Sequence, residues 1–136
     1  MNTIQQSNIK NPGKKDLIRY VESNYLKKKK KSDNQLDFLT LKVGDIIRIG
    51  YLIPEGEKER TQYYQGLIIA IKNRGIGKSL IIRRTVQGIG IEQIFILNSP
   101  KIVSILKKQS SKVRRSKLYF IRKLRGKSTR LKIKID

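Results

Sequence analysis

The sequence predicts a mainly β protein: a small SH3-like antiparallel barrel with a basic C-terminal helix and an extended basic N-terminal arm. Three observations carry that prediction. Between Leu41 and Leu106 apolar residues recur with a period of two, in short runs separated by glycine and proline turns. No helical pattern intervenes between those runs, which describes an antiparallel meander. Lastly, the charge is laid mostly outside them: nine Lys/Arg against four Asp/Glu from Met1 to Thr40, nine against five from Leu41 to Leu97, and fourteen against one from Asn98 to Asp136, giving a formal net charge of +22.

Residues 1–37 read as the arm. Proline is tolerated at the first helical position, so Asn11-Pro12 can open a helix, with Leu17, Val21 and Tyr25 then on one face of a short amphipathic segment. The unbroken Lys27–Lys31 run repels itself and is expected to stay disordered until it meets opposite charge. Residues 38–107 are the barrel. Ile47, Ile49, Tyr51 and Ile53 alternate with Arg48, Gly50 and Leu52 in the first strand, which Pro54-Glu55-Gly56 ends ahead of a charged loop to Arg60. Thr61–Ile71, Leu80–Val86, Ile91–Leu97 and Ile102–Leu106 supply the other four, separated by Asn73–Gly77, Gln87–Gly90 and Asn98-Ser99-Pro100. Such a small sheet is expected to curl so as to hide its edges. Residues 108–136 are the basic tail. Ser110-Ser111 can cap a helix from Lys112 to Leu124, stopped at Gly126, whose thin apolar stripe leaves little to bury against its own barrel and suits an RNA groove or a neighbouring protein.

Composition narrows the function. The chain has 136 residues, neither cysteine nor histidine, and apolar runs far shorter than a membrane span. Disulfides, the usual zinc sets and the commonest general base are therefore excluded, and no enzyme activity, metal, cofactor, small-molecule substrate or membrane contact is expected. The N-terminus lacks the apolar core of a signal peptide, so an intracellular soluble protein is expected. Gly77-Lys78-Ser79 ends like a phosphate-binding loop, but Lys72 stands where that motif needs glycine and the following Leu80-Ile81-Ile82 reads as strand. The loop is expected to be a hairpin tip, with no nucleotide hydrolysis. Asp45, Glu55, Glu57, Glu59 and Glu92 show no paired spacing for acid/base work and are expected to cap turns and balance surface charge.

Cationic side chains gathered on appendages around a compact core suit a polyanion, because each neutralised phosphate releases condensed counterions. Arg83-Arg84 lies in a strand, so the two side chains point to opposite faces; one faces solvent and the other lies at the barrel rim or on a binding surface. Lys112, Arg114, Arg115, Lys117, Arg122, Lys123, Arg125, Lys127, Arg130 and Lys132 are expected to contact RNA phosphates, with Tyr119 and Phe120 available for stacking or packing. A scarcity of alanine, Ala70 alone, beside many Ile, Lys and Asn fits an AT-rich organelle or bacterium.

Val43-Gly44-Asp45-Ile46-Ile47, Glu55-Gly56 with Arg60-Thr61-Gln62, and Gln65-Gly66-Leu67-Ile68-Ile69-Ala70 leading to Asn73-Arg74-Gly75 together resemble the bacterial-type ribosomal protein nineteen of the large subunit. The resemblance runs on through Val86-Gln87-Gly88-Ile89-Gly90-Ile91-Glu92, Phe95, Asn98-Ser99-Pro100, Arg114–Arg122 and Gly126-Lys127, covering about residues 38–132. It implies an SH3-like barrel and a basic C-terminal helix bound to large-subunit rRNA. A site beside large-subunit protein fourteen is implied too, facing small-subunit rRNA and contributing to an intersubunit bridge. By position it makes Arg74 and the Arg114–Arg125 helix RNA-contacting; Lys72 and Lys78, near Arg74, are expected to contact RNA as well. Gln65 stands where the family commonly has Glu, and the arm before Leu36 is longer than the usual bacterial form, which suggests a ribosome in a plastid stroma; a bacterial cytoplasm is the alternative. The rival reading is a transient SH3-like transcription or translation factor that visits nucleic acid.

Overall fold

The computed structural model describes residues 16–32 and 40–134, in two compact units that divide between residues 33 and 34. In the first, helix α1 spans Leu17–Ser32 and carries Leu17, Val21 and Tyr25 as expected, but it continues through the lysine run. Lysine is a good helix former. Over residues 17–32 the arm is helical; Asn11-Pro12 and residues 33–37 lie outside the described residues.

The second unit is one antiparallel sheet of five strands, β1 (Ile46–Glu55), β2 (Lys58–Lys72), β3 (Ser79–Val86), β4 (Ile89–Ile96) and β5 (Ile102–Gln109), in the order β4-β3-β2-β1-β5. Turn chemistry sets the registers. Val86 pairs with Ile89, leaving Gln87 (φ 50°) and Gly88 (φ 78°) as the two central residues, both left-handed as a type I′ hairpin requires. Glu55 pairs with Lys58 around Gly56 (φ 61°) and Glu57, so β1 passes through Pro54 and the expected charged loop is a two-residue turn. Proline is tolerated there because β5 pairs with β1 only as far as Tyr51.

Ile47 and Ile49 of β1, Tyr64 and Ile68 of β2, Leu80 and Ile82 of β3, and Phe95 with Leu97 form one buried core, against which Ile102 and Ile105 of β5 pack. All five strands contribute to a single interior, so the sheet curls in the barrel-like manner expected. It is not closed: β4 and β5 end the strand order unpaired with each other.

The alternation breaks once in β2. Ile68 pairs with Ile82 and Ala70 with Ile81, which leaves Ile69 as an extra, bulged residue. Beyond the bulge Ile69 and Ala70, with Ile81, build a second buried cluster completed by Leu118 and Ile121 of the C-terminal segment. The helix expected from Lys112 to Leu124 is corrected here. That segment contains only one 3-10 turn, Tyr119–Lys123, and a second, Gly126–Thr129, follows it. Two causes are visible. The Leu118 amide donates to the Ile69 carbonyl (2.8 Å) instead of entering a helical ladder, and the buried pair is three residues apart, the repeat of a 3-10 turn. The segment also buries more against its own barrel than its apolar stripe suggested.

Candidate nucleic-acid interface

The cationic segment is a loop closed at its neck. Ser111 bridges Ile133, with the Lys112 amide donating to Lys132 (3.0 Å) and that of Lys134 to Ser110 (2.9 Å). Where the neck meets the barrel, Asp45 is wholly buried. Its carboxylate accepts from the Lys42 amide (3.0 Å) and the Ser110 hydroxyl (2.8 Å) and pairs with Lys107 Nζ (3.0 Å). Asp45 thus pins the turn before β1 to the exit of β5; surface charge balance, expected from sequence, is not its role. Gly44 in that turn has φ 93°, and a Cβ on it would meet Val113.

Glu92 performs the corresponding task on β4. Cross-strand from Arg83, it accepts from Arg83 Nη1 (2.9 Å) and takes both Nε (2.8 Å) and Nη2 (2.7 Å) of Arg122, a bidentate fork. The hydrogen bond from Arg122 is the largest of the causes that hold its carboxyl below the usual carboxylate range, helped by Arg83 and opposed by partial burial. Glu92 is therefore no surface balance either. Gly90 leaves space beside it, since a Cβ there would displace the end of the Arg83 side chain.

Arg83 and Arg84 take opposite faces as expected. Arg84 lies over the Tyr64 ring (4.3 Å) at the rim of the interior, its buried Nε without a hydrogen-bond acceptor among the described residues. Burial raises the Tyr64 hydroxyl above its ordinary value, while Arg84 partly opposes the shift.

Two clefts gather the remaining charge. One is lined by Lys112, Arg114, Arg115, Arg130 and Lys132, together with Phe120 and Leu131. The other, about 860 Å³, lies between the β3–β4 turn and the 3-10 turn at Gly126 and is lined by Arg83, Arg122, Arg125 and Arg130. No carboxylate lines either cleft among the described residues. Lys117, Lys123 and Lys127 are exposed and line neither. Lys72 ends β2, and Arg74 and Lys78 belong to the β2–β3 loop, all three outside both clefts. That loop is a single 3-10 turn tied by Asn98 Nδ2 to the Ile76 carbonyl (2.7 Å), and Ser79 opens a strand, so no helix end faces the Gly-Lys-Ser. Tyr119 is half-buried beneath Arg122 (4.5 Å) and serves packing, whereas Phe120 is exposed beside Arg115 (5.0 Å). Sequence reasoning also passed over Arg48, which lies on the exposed Tyr63 ring at 4.2 Å.

A curled five-stranded sheet with a cationic segment locked to it by a buried and a partly buried carboxylate, Asp45 and Glu92, defines a small, strongly basic β protein whose surface chemistry favours anions. The chain belongs to the ribosomal protein L19 family, whose profile matches residues 17–134. It is similar to the large ribosomal subunit protein bL19c of Phaeodactylum tricornutum, 52% identical over 116 residues that cover 85% of this chain and 90% of that one. It is also similar to the bL19 proteins of Thermosynechococcus vestitus (43%, covering 89% and 94%) and Crocosphaera subtropica (42%, covering 88% and 93%). It is thus a ribosomal protein, part of a ribonucleoprotein that works in translation.

Proposed function

We propose that this protein is a structural constituent of the large ribosomal subunit, in a plastid or bacterial-type ribosome, and binds rRNA through its C-terminal segment. The observation that carries the reading is the convergence of Lys112, Arg114, Arg115, Arg130 and Lys132 on one cleft that holds no carboxylate among the described residues. Guanidinia and ammonium groups in that arrangement neutralise several phosphates of one strand together. The β2–β3 loop with Arg74 and Lys78, beside Lys72 at the end of β2, supplies a second contact, and the barrel faces the small subunit beside large-subunit protein fourteen as part of an intersubunit bridge. Photo-crosslinking of purified ribosomes, followed by mass spectrometry of nucleotide-bearing peptides, tests this. Adducts within residues 112–132 on large-subunit rRNA are expected; adducts confined to other parts of the chain would contradict it.

A further inference from the structure

We infer that Glu92 is a positioning residue for RNA binding: it commits Arg83 and Arg122 to holding the C-terminal segment over the β3–β4 turn, so that Arg125 and Arg130 take the phosphates of a strand in the cleft between them. The inference rests on the RNA-binding reading above and adds a division of labour among its arginines.

Arg83, Arg122, Arg125 and Arg130 all reach this cleft, but they are not equivalent. Two donors of Arg122 and one of Arg83 are already taken by Glu92, whose side chain is only 23% exposed. Among the described residues no ion pair or side-chain hydrogen bond engages the Arg125 or Arg130 guanidinium, and both residues are exposed. The glycines complete the arrangement. Gly90 leaves room for Arg83 to lie across the turn, and Gly88 keeps the cleft mouth free of side chain.

A carboxylate behind a polyanion site repels the ligand, so charge alone predicts that removing it strengthens binding. Positioning predicts the reverse, because an arm that must order itself during association forfeits affinity. The two readings therefore differ in sign. The probe is a 20-nucleotide oligouridylate, titrated against the full chain across a series of KCl concentrations. Glu92→Gln is expected to weaken binding about fivefold, while Glu57→Gln, the same charge change on the β1–β2 turn, leaves it equal or slightly tighter. Arg122→Lys keeps the charge but not the bidentate fork and is expected to weaken binding similarly. Arg125→Ala and Arg130→Ala should each lower the salt slope by about 0.7, the loss of one single-strand phosphate contact. In Glu92→Gln the amides of Leu118 and Ile121 should exchange faster while those of Ile68 and Ile82 do not, which separates a released segment from a misfolded barrel.

Tighter binding by Glu92→Gln, wild-type binding by Arg122→Lys, or unchanged exchange at Leu118 overturns the inference. Failure of the unmodified protein to bind the oligouridylate instead counts against the RNA-binding reading itself; the exchange experiment still decides whether Glu92 holds the segment.

Discussion

The amide of Leu118 donates to the main-chain carbonyl of Ile69 at 2.8 Å, and Ile69 is the bulged residue of β2. A bulged residue stands outside its ladder, so its carbonyl is free for a partner from another part of the chain. The bulge thereby turns an outer sheet surface into a dock for the cationic segment, with Leu118 and Ile121 buried against Ile69, Ala70 and Ile81.

Leu118→Ala removes a side chain that is 1% exposed. Leaving a cavity at such a site costs about 2–5 kcal/mol. Urea unfolding should show a lower midpoint of that order, and proteolysis should cut the C-terminal segment before the barrel.

Gly44→Ala places a Cβ at φ 93°, 2.6 Å from Val113 Cγ1. The left-handed backbone alone costs roughly 1–2 kcal/mol for alanine, and Val113 must also shift. A fall in Tm of about 5–10 °C is expected for a domain of this size, measured by circular dichroism.

Asp45→Ala leaves the Lys42 amide, the Ser110 hydroxyl and Lys107 without their shared acceptor. Removing a buried charged acceptor costs about 2–3 kcal/mol, discounted here because Lys107 is one-third exposed and regains water. Asp45→Asn should recover part of the loss, since an amide oxygen still accepts one of those bonds.

Acid should release the segment from the barrel. The Glu92 carboxyl is held below the ordinary value of a free glutamate, so its stabilising contribution is complete above that value and disappears as pH falls through the lower folded value. The Tm difference between the unmodified protein and Glu92→Gln should be largest near neutral pH and shrink below about pH 4.5. A constant difference across that window would show that Glu92 contributes nothing through its charge.

How far the sequence revealed this arrangement differs from element to element. The strands were legible because one buried face imposes a period of two, and Gln87-Gly88 as a two-residue turn already implies that Arg83 faces Glu92 across the hairpin. That register was the available signal for Glu92, which inspection for carboxylate pairs overlooked. Asp45 carried no comparable signal, since its partners Ser110 and Lys107 come from the far end of the chain. The segment from Lys112 to Leu124 misled because apolar residues at three- and four-residue spacing satisfy an α-helix as well as 3-10 turns. What decides between them is the Ile69 carbonyl, and a bulge leaves little trace in local pattern. The cationic residues were found by composition; that Arg122 is committed to Glu92 while Arg130 lines both clefts is a matter of tertiary placement.

The proposed function makes this chain an integral large-subunit component held by its cationic segment. Sedimenting a lysate through a high-salt sucrose gradient and quantifying the protein in the separated large-subunit peak tests it most directly. One copy per large subunit is the predicted result, falling well below one when Arg114, Arg115 and Arg130 are replaced by alanine together. Release of the unmodified protein to the top of the gradient would contradict it.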